Sequence, residues 1–393
     1  MTGMHSTLEG RRWAAAVALV LCLPAAGCQT VAYYSHAALG QWRVLTGREP
    51  VAEVLETLAP RRDEDPAAAL LYDRLTYSQA ALDFAARELA LDPDGRYRTY
   101  VHLDRPAVVW NLFAAPPLSL EPYRWCYPIV GCAPYRGYFD LEFAERRAAA
   151  LGRQGLETYL GPVPAYSTLG WFDDPLLSTF ITWPEADLAA LLFHELAHGV
   201  VWASGDVAFN ESFATFVGRE GLTAWLSSRG RLDELDARRE AAAERRRLLT
   251  LLQRTRQALQ RVYASALTED AKLTAKRRIL DAVTGCYADA REQFGGGRYD
   301  LLMSGLDNAR LVSVATYEDL VPAFAELFES VNRDWRAFYE QVRALAAEDV
   351  ERRRELLGVS GDQQVAHGRN DHRADEVECQ PFAGHLLDAE AAG

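Results

Sequence analysis

The stretch Leu191–His198 carries the residues of this chain that are best suited to chemistry. It reads Leu-Leu-Phe-His-Glu-Leu-Ala-His, so two histidines four residues apart flank Glu195. Residues four apart lie on one face of an α-helix, and the imidazoles of His194 and His198 can therefore converge on one metal ion. A His-Glu-x-x-His pattern on a helix is typical of a zinc site in which the glutamate is the general base for peptide hydrolysis.

A catalytic zinc site needs a third protein ligand besides these two histidines. Glu211 lies in the next helical pattern, and the turn signal Ser204-Gly205-Asp206 separates the two patterns. His198 precedes Gly205 by seven residues and Glu211 follows it by six. At about 1.5 Å per residue, two antiparallel helices bring them level, which predicts Glu211 as the third ligand. Asp206 is a rival ligand, although its position favours a cap on the second helix.

The motif could also consist of ordinary core histidines. Apolar residues surround it on nearly all sides of the predicted helix, which indicates that the helix is buried. A buried glutamate between two buried histidines is costly unless it is paired or metal-bound. No further histidine follows before His367, which excludes the longer zinc signature with three histidines. We therefore favour a metal site.

The two motifs together resemble the gluzincin type of zinc peptidase, and more specifically a bacterial family of zinc aminopeptidases, many of them lipoproteins. Further segments are similar to that family, and the resemblance covers most of residues 28–345: Cys126–Asp140, Gly170–Leu176, Asn308–Leu311 and Tyr317. The resemblance implies a zincin-like fold and one Zn²⁺ ion. Its ligands would be His194, His198 and Glu211, with Glu195 as the catalytic carboxylate.

The resemblance also raises the question of which residues assist the metal. Thermolysin-like gluzincins carry an acid one turn after the ligand glutamate, where it supports a histidine ligand, whereas this chain has Thr215 there. The partner that orients His194 is therefore unassigned. Tyr317, in a family-like segment, is the candidate donor to the oxyanion, and a core tyrosine at a helix start is the alternative. Arg310 is a weaker candidate for the same role.

An aminopeptidase must bind the free terminal ammonium group of its substrate, which calls for a carboxylate near the metal. Asp173 and Asp174 lie between a predicted strand and the metal-binding helix and are candidates for substrate binding. The sequence Asp-Asp-Pro is also typical of a turn that has no role in substrate binding. Two alternatives to an aminopeptidase stay open: a metalloendopeptidase of envelope proteins, and a non-catalytic zinc-containing lipoprotein that binds a partner through a helical arm.

Composition limits the partners of the chain. Its 393 residues are 49% hydrophobic and 25% charged, which is enough apolar material for a sizeable core. The formal charge of −13 argues against nucleic-acid binding, which needs a basic surface. We expect a peptide substrate and no nucleic-acid partner.

Residues 1–27 predict a lipoprotein signal peptide. Arg11-Arg12 precedes an apolar stretch that is too short to span a membrane, and Ala25-Ala26-Gly27 then leads to Cys28. We expect cleavage before Cys28 and lipidation of its thiol, which would anchor the mature chain to a membrane of the bacterial cell envelope, on the periplasmic side. Leucine is commoner at the position of Ala25, so cleavage without lipidation is the alternative.

The remaining cysteines fit an exported protein. Cys126 and Cys132 bound a short loop, and an oxidising compartment predicts a disulfide between them. Cys286 and Cys379 lie far apart in the sequence and are either paired or free thiols.

The chemical motifs need elements to position them. Helical spacing of apolar residues predicts helices over Tyr33–Leu45, Pro50–Leu58, Pro66–Leu91, Leu232–Ala266, Ala271–Ala290, Tyr317–Glu329 and Asn332–Leu357. Short strand patterns begin after Tyr97 and include Val108–Phe113. Pro164–Phe172 alternates as a strand does, and it would either bind an extended substrate at a sheet edge or pair as an ordinary strand.

These patterns predict an α+β, predominantly helical fold. We expect a zincin-like metallopeptidase domain over residues 28–358, with an active-site helix and a small sheet. A helical hairpin arm should occupy about residues 231–290. The tail over residues 359–393 is polar and lacks periodicity, which is typical of disorder.

Overall fold

The computed structural model describes residues 32–127, 131–165, 173–231, 233–314 and 320–358. Helices make up most of these residues, and three small sheets lie among them. The predicted α+β, predominantly helical class is confirmed. Within the described ranges, no helix has both the length and the apolar character needed to cross a membrane.

The N-terminal half alternates helices with short strands. Its helices are α1 (residues 32–46), α2 (Val51–Leu58), α3 (Pro66–Glu88) and α4 (Leu141–Gly152). Its strands are β1 (Glu49–Pro50), β2 (Thr99–Val101), β3 (Val109–Ala115), β4 (Trp125–Tyr127), β5 (Gly131–Ala133), β6 (Tyr135–Tyr138), β7 (Glu157–Val163) and β8 (Leu176–Leu177).

The C-terminal half is helical in the part that the structure describes. Its helices are α5 (Glu185–His198), α6 (Val207–Ser228), α7 (Asp233–Ala264), α8 (Glu269–Asp289), α9 (Asp300–Met303), α10 (Asn308–Val314), α11 (Val321–Ser330), α12 (Trp335–Ala347) and α13 (Val350–Leu356). Helices α7 and α8 form the predicted arm.

The largest sheet has β3 at its centre. Strands β6 and β7 flank β3, both antiparallel to it, so that Trp110 lies opposite Tyr138 on one side and Pro162 on the other. A second sheet has the order β1-β2-β8, in which β8 runs parallel to β2. The predicted strand Pro164–Phe172 lies outside the described residues from 166 onward, and β7 already ends at Val163.

The disulfide between Cys126 and Cys132 is confirmed, and it joins the paired positions of β4 and β5. Cys286 on α8 is also disulfide-bonded. Because the other two cysteines of the described ranges bond to each other, the partner of Cys286 lies outside those ranges. Cys286 is therefore not a free thiol.

Two predicted helices differ from the structure for local backbone reasons. The helix predicted over Pro66–Leu91 ends at Glu88, and Ala90 has a positive φ that no α-helix accepts. The helix predicted over Asn332–Leu357 is two helices. The first begins only at Trp335, because Asn332 and Arg333 have positive φ. The second begins after Asp349, whose carboxylate accepts a hydrogen bond from the backbone N–H of Arg352 and caps the new helix.

Among the described residues, the buried apolar side chains form four clusters, of which the two largest are a main core and a core in the helical arm. The main core contains buried side chains from α3, α5, α6, α11 and α12, among them Phe193, Phe213 and Phe338. A separate core lies in the arm, where Leu252 and Leu259 of α7 pack with Ile279 and Val283 of α8. The candidate site residues belong to the main core.

Candidate metal centre

Helix α5 carries the two histidines and packs closely on α6. Acidic residues in its first turn complement the positive end of the helix dipole, and Gly199 follows its last residue. Phe193 and Leu196 are fully buried, as the apolar sequence predicted. A Cβ atom on Gly218 of α6 would lie 2.8 Å from the Ala190 carbonyl oxygen and 3.2 Å from the Cβ of His194. Only glycine at this position allows the two helices to approach so closely.

The hairpin brings Glu211 level with both histidines. Its Oε2 lies 3.5 Å from Nε2 of His194, and its Oε1 lies 3.9 Å from Nε2 of His198. One ligand atom from each residue can be chosen so that all three lie within 4.8 Å of one another. Among the described parts of the chain, this is the group of histidine, cysteine and acidic side chains that has such geometry.

These three side chains fit a single zinc ion. Zinc binds histidine nitrogen and carboxylate oxygen at about 2.0–2.2 Å, so two tetrahedral ligand atoms are roughly 3.4 Å apart. The two carboxylate–imidazole separations of 3.5 and 3.9 Å are close to this value, and the three ligand atoms together lie within 4.8 Å of one another. Two histidines and one glutamate also form one of the donor sets found in catalytic zinc sites.

Burial dominates the electrostatics of the site. Desolvation raises the pKa of Glu195 to about 7, with the charges of Glu211 and Asp174 acting in the same direction. Desolvation also lowers the pKa of His198 to about 4. For His194, burial acts to lower the pKa, but the hydrogen bond with Glu211 and the charges of Glu195 and Glu211 together outweigh burial and raise it. At Glu211, burial acts to raise the pKa, but the hydrogen bond with His194 and the charges of both histidines together lower it. The two side chains therefore each favour the charged form of the other.

The two predicted substrate-binding aspartates have different surroundings. Asp174 is 3% exposed, contributes to the pKa shift of Glu195, and accepts a hydrogen bond at its carbonyl oxygen from the Tyr97 N–H at 2.6 Å. Asp173 is exposed, and its carboxylate lies beside Gly95. The charge of Asp174 thus acts on Glu195, whereas Asp173 is not among the charges that shift the pKa of that carboxyl.

Asp206 does not belong to the metal group. One of its carboxylate oxygens accepts a hydrogen bond from the Phe209 N–H and caps α6. The other oxygen is paired with the guanidinium of Arg353, and both side chains are buried. The rival ligand is therefore a helix cap, as its position before α6 indicated.

Of the two candidates for the oxyanion role, the structure describes Arg310. Tyr317 lies outside the described residues, as does Cys28. Arg310 donates a hydrogen bond to the Gly305 carbonyl oxygen, and its guanidinium lies 4.9 Å from the ring centre of Tyr159 on β7. These contacts give Arg310 a structural role at the sheet.

The sequence did not assign the hydrogen-bond partners that would orient the two histidine rings. For His198, the described residues include no such partner. Its Nδ1 is buried and has no hydrogen-bond partner in the described ranges. The structure instead shows Arg96 at this end of the helix, where its guanidinium occupies the space that a Cβ on Gly199 would need. A cation there interacts favourably with the negative end of the α5 dipole.

Two further residues near the site were missed by the sequence analysis. Trp202 is 44% exposed, and its ring centre lies 5.8 Å from that of His198. Its place four residues after His198 was the available signal. Asn210, immediately before Glu211, is buried and bonds to both backbone groups of Ala203. Its signal was weak, because asparagine is common near helix starts.

Comparison with known proteins identifies the family of the chain. Neither a curated protein nor a solved structure matches it significantly. A family model described as "Putative aminopeptidase" matches residues 32–357, which include both the hairpin of α5 and α6 and the helical arm. The match covers most of the chain, and the protein therefore belongs to this aminopeptidase family.

Proposed function

We propose that this protein is a zinc-dependent aminopeptidase. The observation that carries the proposal is the convergence of His194, His198 and Glu211 beside the buried carboxyl of Glu195. Membership of the aminopeptidase family supports peptidase activity. The three converging side chains would hold one zinc ion. When bound, zinc acts as a Lewis acid that polarises the scissile carbonyl and lowers the pKa of water.

Glu195 is the proposed general base. It accepts a proton from the attacking water and donates that proton to the departing amine. A carboxyl with a pKa near 7 suits both transfers, because it can take up and release a proton close to neutral pH. Glu195 directly follows His194 and precedes His198 by three residues, which places its carboxyl beside both proposed ligands.

Substrate binding is proposed to involve two neighbours of the centre. The carboxylate of Asp174 would bind the terminal ammonium of a peptide, because a buried negative charge near the scissile bond selects a free amino end. The exposed ring of Trp202 would contact an apolar side chain of the substrate. Tyr317 remains the candidate donor to the oxyanion, on the family resemblance alone.

The location of the protein is also part of the proposal. Lipidation of Cys28 would hold the enzyme at a membrane of the bacterial envelope, on the periplasmic side. The Cys126–Cys132 disulfide supports an oxidising compartment. No nucleic-acid partner is proposed, given the net charge of −13.

The decisive experiment compares wild type with Glu195→Gln. We expect equal zinc content by metal analysis and a fall in kcat of about 100-fold to 10,000-fold for a free peptide, because only the proton transfer is lost. Glu326→Gln on α11 changes an exposed glutamate in the same way and should leave both quantities unchanged. Full activity in Glu195→Gln would refute the proposed mechanism. Zinc without hydrolysis in wild type would favour the non-catalytic alternative.

A second experiment separates an aminopeptidase from an endopeptidase. Peptides of one sequence are offered with a free or an acetylated amino end. An aminopeptidase should cleave only the free form, and Asp174→Asn should raise KM for that form more than it lowers kcat. Equal cleavage of both forms would instead identify a metalloendopeptidase.

A further inference from the structure

Helix α1 is attached to the protein along one face only. Val44 is fully buried in the main core, and a Cβ on Gly40 would collide with the ring of Phe139. Near the start of the helix, the Arg136 guanidinium stacks 3.4 Å from the ring centre of Tyr33. These residues recur at positions 33, 40 and 44, which lie on one side of an α-helix. The helix is therefore held firmly, and its orientation relative to the protein is fixed.

The opposite side of α1 is exposed and uncharged. Tyr34 is 46% exposed, Leu39 57% and Trp42 64%. We define the outward face as the exposed residues on this side: Tyr34, Ser35, Ala38, Leu39, Trp42 and Thr46. No member is charged, although the protein carries 97 formally charged side chains, 42 basic and 55 acidic, and the exposed Arg43 lies at the edge of this face beside Leu39. A helix that is apolar and aromatic on its solvent side is expected to bind something.

The position of α1 in the chain indicates what that partner is. Cys28, the predicted lipid attachment site, precedes residue 32 by four residues. A fully extended chain of four residues spans at most about 14 Å. If the acyl chains of Cys28 insert in a bilayer, the start of α1 cannot be far from the lipid headgroups.

We propose that the outward face of α1 lies in the headgroup region of the membrane, so that the protein is anchored by a lipid and by a helix together. Tryptophan and tyrosine favour this region because their rings are apolar and their N–H or O–H groups are polar. A helix whose apolar face lies in this region adds buried apolar area to that of a lipid anchor. The proposal goes beyond peptidase activity, and it rests on lipidation of Cys28.

The helix would also orient the enzyme. Arg48, just beyond the end of α1, donates hydrogen bonds to the carbonyl oxygens of Leu45 and of Asp173 at 3.0 Å. Asp173 adjoins Asp174, whose charge acts on Glu195. If α1 lies at a fixed angle to the bilayer, the candidate metal centre therefore has a fixed orientation relative to the bilayer as well.

The test uses the mature chain coupled through Cys28 to a maleimide phospholipid in phosphatidylcholine vesicles. The vesicles contain either ordinary or brominated acyl chains, because bromine quenches tryptophan emission at short range. The contribution of Trp42 is obtained by subtracting the fluorescence emission of Trp42→Phe from the emission of wild type. We expect brominated lipid to lower this difference by at least about half. Leu39→Glu should restore it, because a charge in the outward face is unfavourable in the bilayer.

A matched control and the opposing results complete the test. The corresponding difference for Trp335→Phe, which removes a tryptophan on α12, should not respond to bromine. An unquenched Trp42 would overturn the proposal. So would a solution dimer that Leu39→Glu dissociates, because the outward face would then bind a second copy. Chemical coupling makes this result independent of lipidation in the cell, which mass spectrometry of the membrane-extracted protein tests separately. Peptidase activity does not depend on either outcome.

Discussion

Glu211 is the residue that joins the two halves of the candidate metal centre. It is the one predicted ligand that comes from α6, and its two carboxylate oxygens face the two histidines separately. Its pKa is lowered by the hydrogen bond with His194, so the negative charge that a cation needs is already present in the metal-free molecule. The proposed zinc site therefore depends on this charge.

Replacement of Glu211 by glutamine should remove zinc without unfolding the protein. We expect the Kd for zinc to rise at least about 100-fold, because even the hydrogen-bond partners of metal ligands contribute 10–100-fold to affinity. Titration against a competing chelator measures the Kd. Glu326→Gln is again the control. An unchanged Kd in Glu211→Gln would show that zinc, if bound, is held elsewhere.

At the scale of elements, the turn between α5 and α6 sets the position of Glu211. The side chain of Asn210 accepts a hydrogen bond from the Ala203 N–H and donates one to the Ala203 carbonyl oxygen, both at 2.8 Å. Asp206 caps α6 and is paired with Arg353 of α13. The turn is thus stabilised by the hydrogen bonds of Asn210 within the hairpin and by the ion pair between Asp206 and Arg353 of α13.

Substitution of Asn210 by alanine should destabilise the hairpin. It leaves two buried backbone groups unbonded, which costs about 2–4 kcal/mol in total. Urea unfolding monitored by circular dichroism measures the loss. Ser227→Ala, at an exposed position on the same helix, should change the free energy of unfolding by less than about 0.5 kcal/mol. Equal effects of the two substitutions would contradict this role for Asn210.

A second contact between elements predicts sensitivity to alkaline pH. Tyr339 of α12 is buried, and its hydroxyl donates a hydrogen bond to the Leu89 carbonyl oxygen at 3.0 Å. Desolvation raises the pKa of Tyr339 well above 10.0. The unfolded chain therefore releases this proton at a lower pH than the folded protein does. The stability from this group is complete below about pH 10 and decreases as pH rises above it.

The variant Tyr339→Phe isolates this effect. Near neutral pH it should be less stable than wild type by about 0.5–1.5 kcal/mol, the net value of a lost hydrogen bond. From pH 10 upward the difference should shrink, since the variant has no proton to release at this position. Urea unfolding at a series of pH values tests the prediction. A difference that stays constant or grows above pH 10 would contradict it.

At the scale of the whole molecule, a buried polar network attaches the arm to the sheet. Lys276 of α8 pairs with Glu157 of β7 and also donates a hydrogen bond to the Pro117 carbonyl oxygen. The second carboxylate oxygen of Glu157 accepts a hydrogen bond from the Asn308 N–H at 2.8 Å. The Asn308 side chain bonds in turn to Tyr263 of α7. The network thus connects α7 and α8 to β7 and to the family-like segment that starts with Asn308.

Loss of the lysine should therefore loosen the arm. Lys276→Met leaves the Glu157 carboxylate, whose side chain is 24% exposed, without its cation, and loss of this charged hydrogen bond should cost about 1.5–3 kcal/mol. Hydrogen exchange should accelerate in α7 and α8 more than in α5 and α6. Lys272→Met removes one hydrogen bond to the Tyr263 carbonyl and should cost about 1 kcal/mol. Uniform exchange across all four helices would contradict a separate role for the network.

Much of the candidate site could be predicted from the sequence because its contacts are local. His194 and His198 share a helix face by periodicity alone, and Glu211 reaches them across one short turn. The Cys126–Cys132 disulfide and the helical arm were predicted for the same reason, since each depends on neighbouring segments. Helix ends were less predictable: the helix predicted to begin at Asn332 begins at Trp335, because Asn332 and Arg333 have positive φ.

The sequence by itself determined the α5–α6 hairpin, the candidate ligands on it and the predominantly helical class. Only the tertiary structure decided how these parts are fixed, because the contacts involved join distant segments. Tyr339 bonds to Leu89 across 250 residues, Arg353 to Asp206 across 147 and Lys276 to Glu157 across 119. Many side chains of suitable chemistry compete for each such pairing, and periodicity does not choose among them. Burial of both partners in one compact arrangement makes that choice.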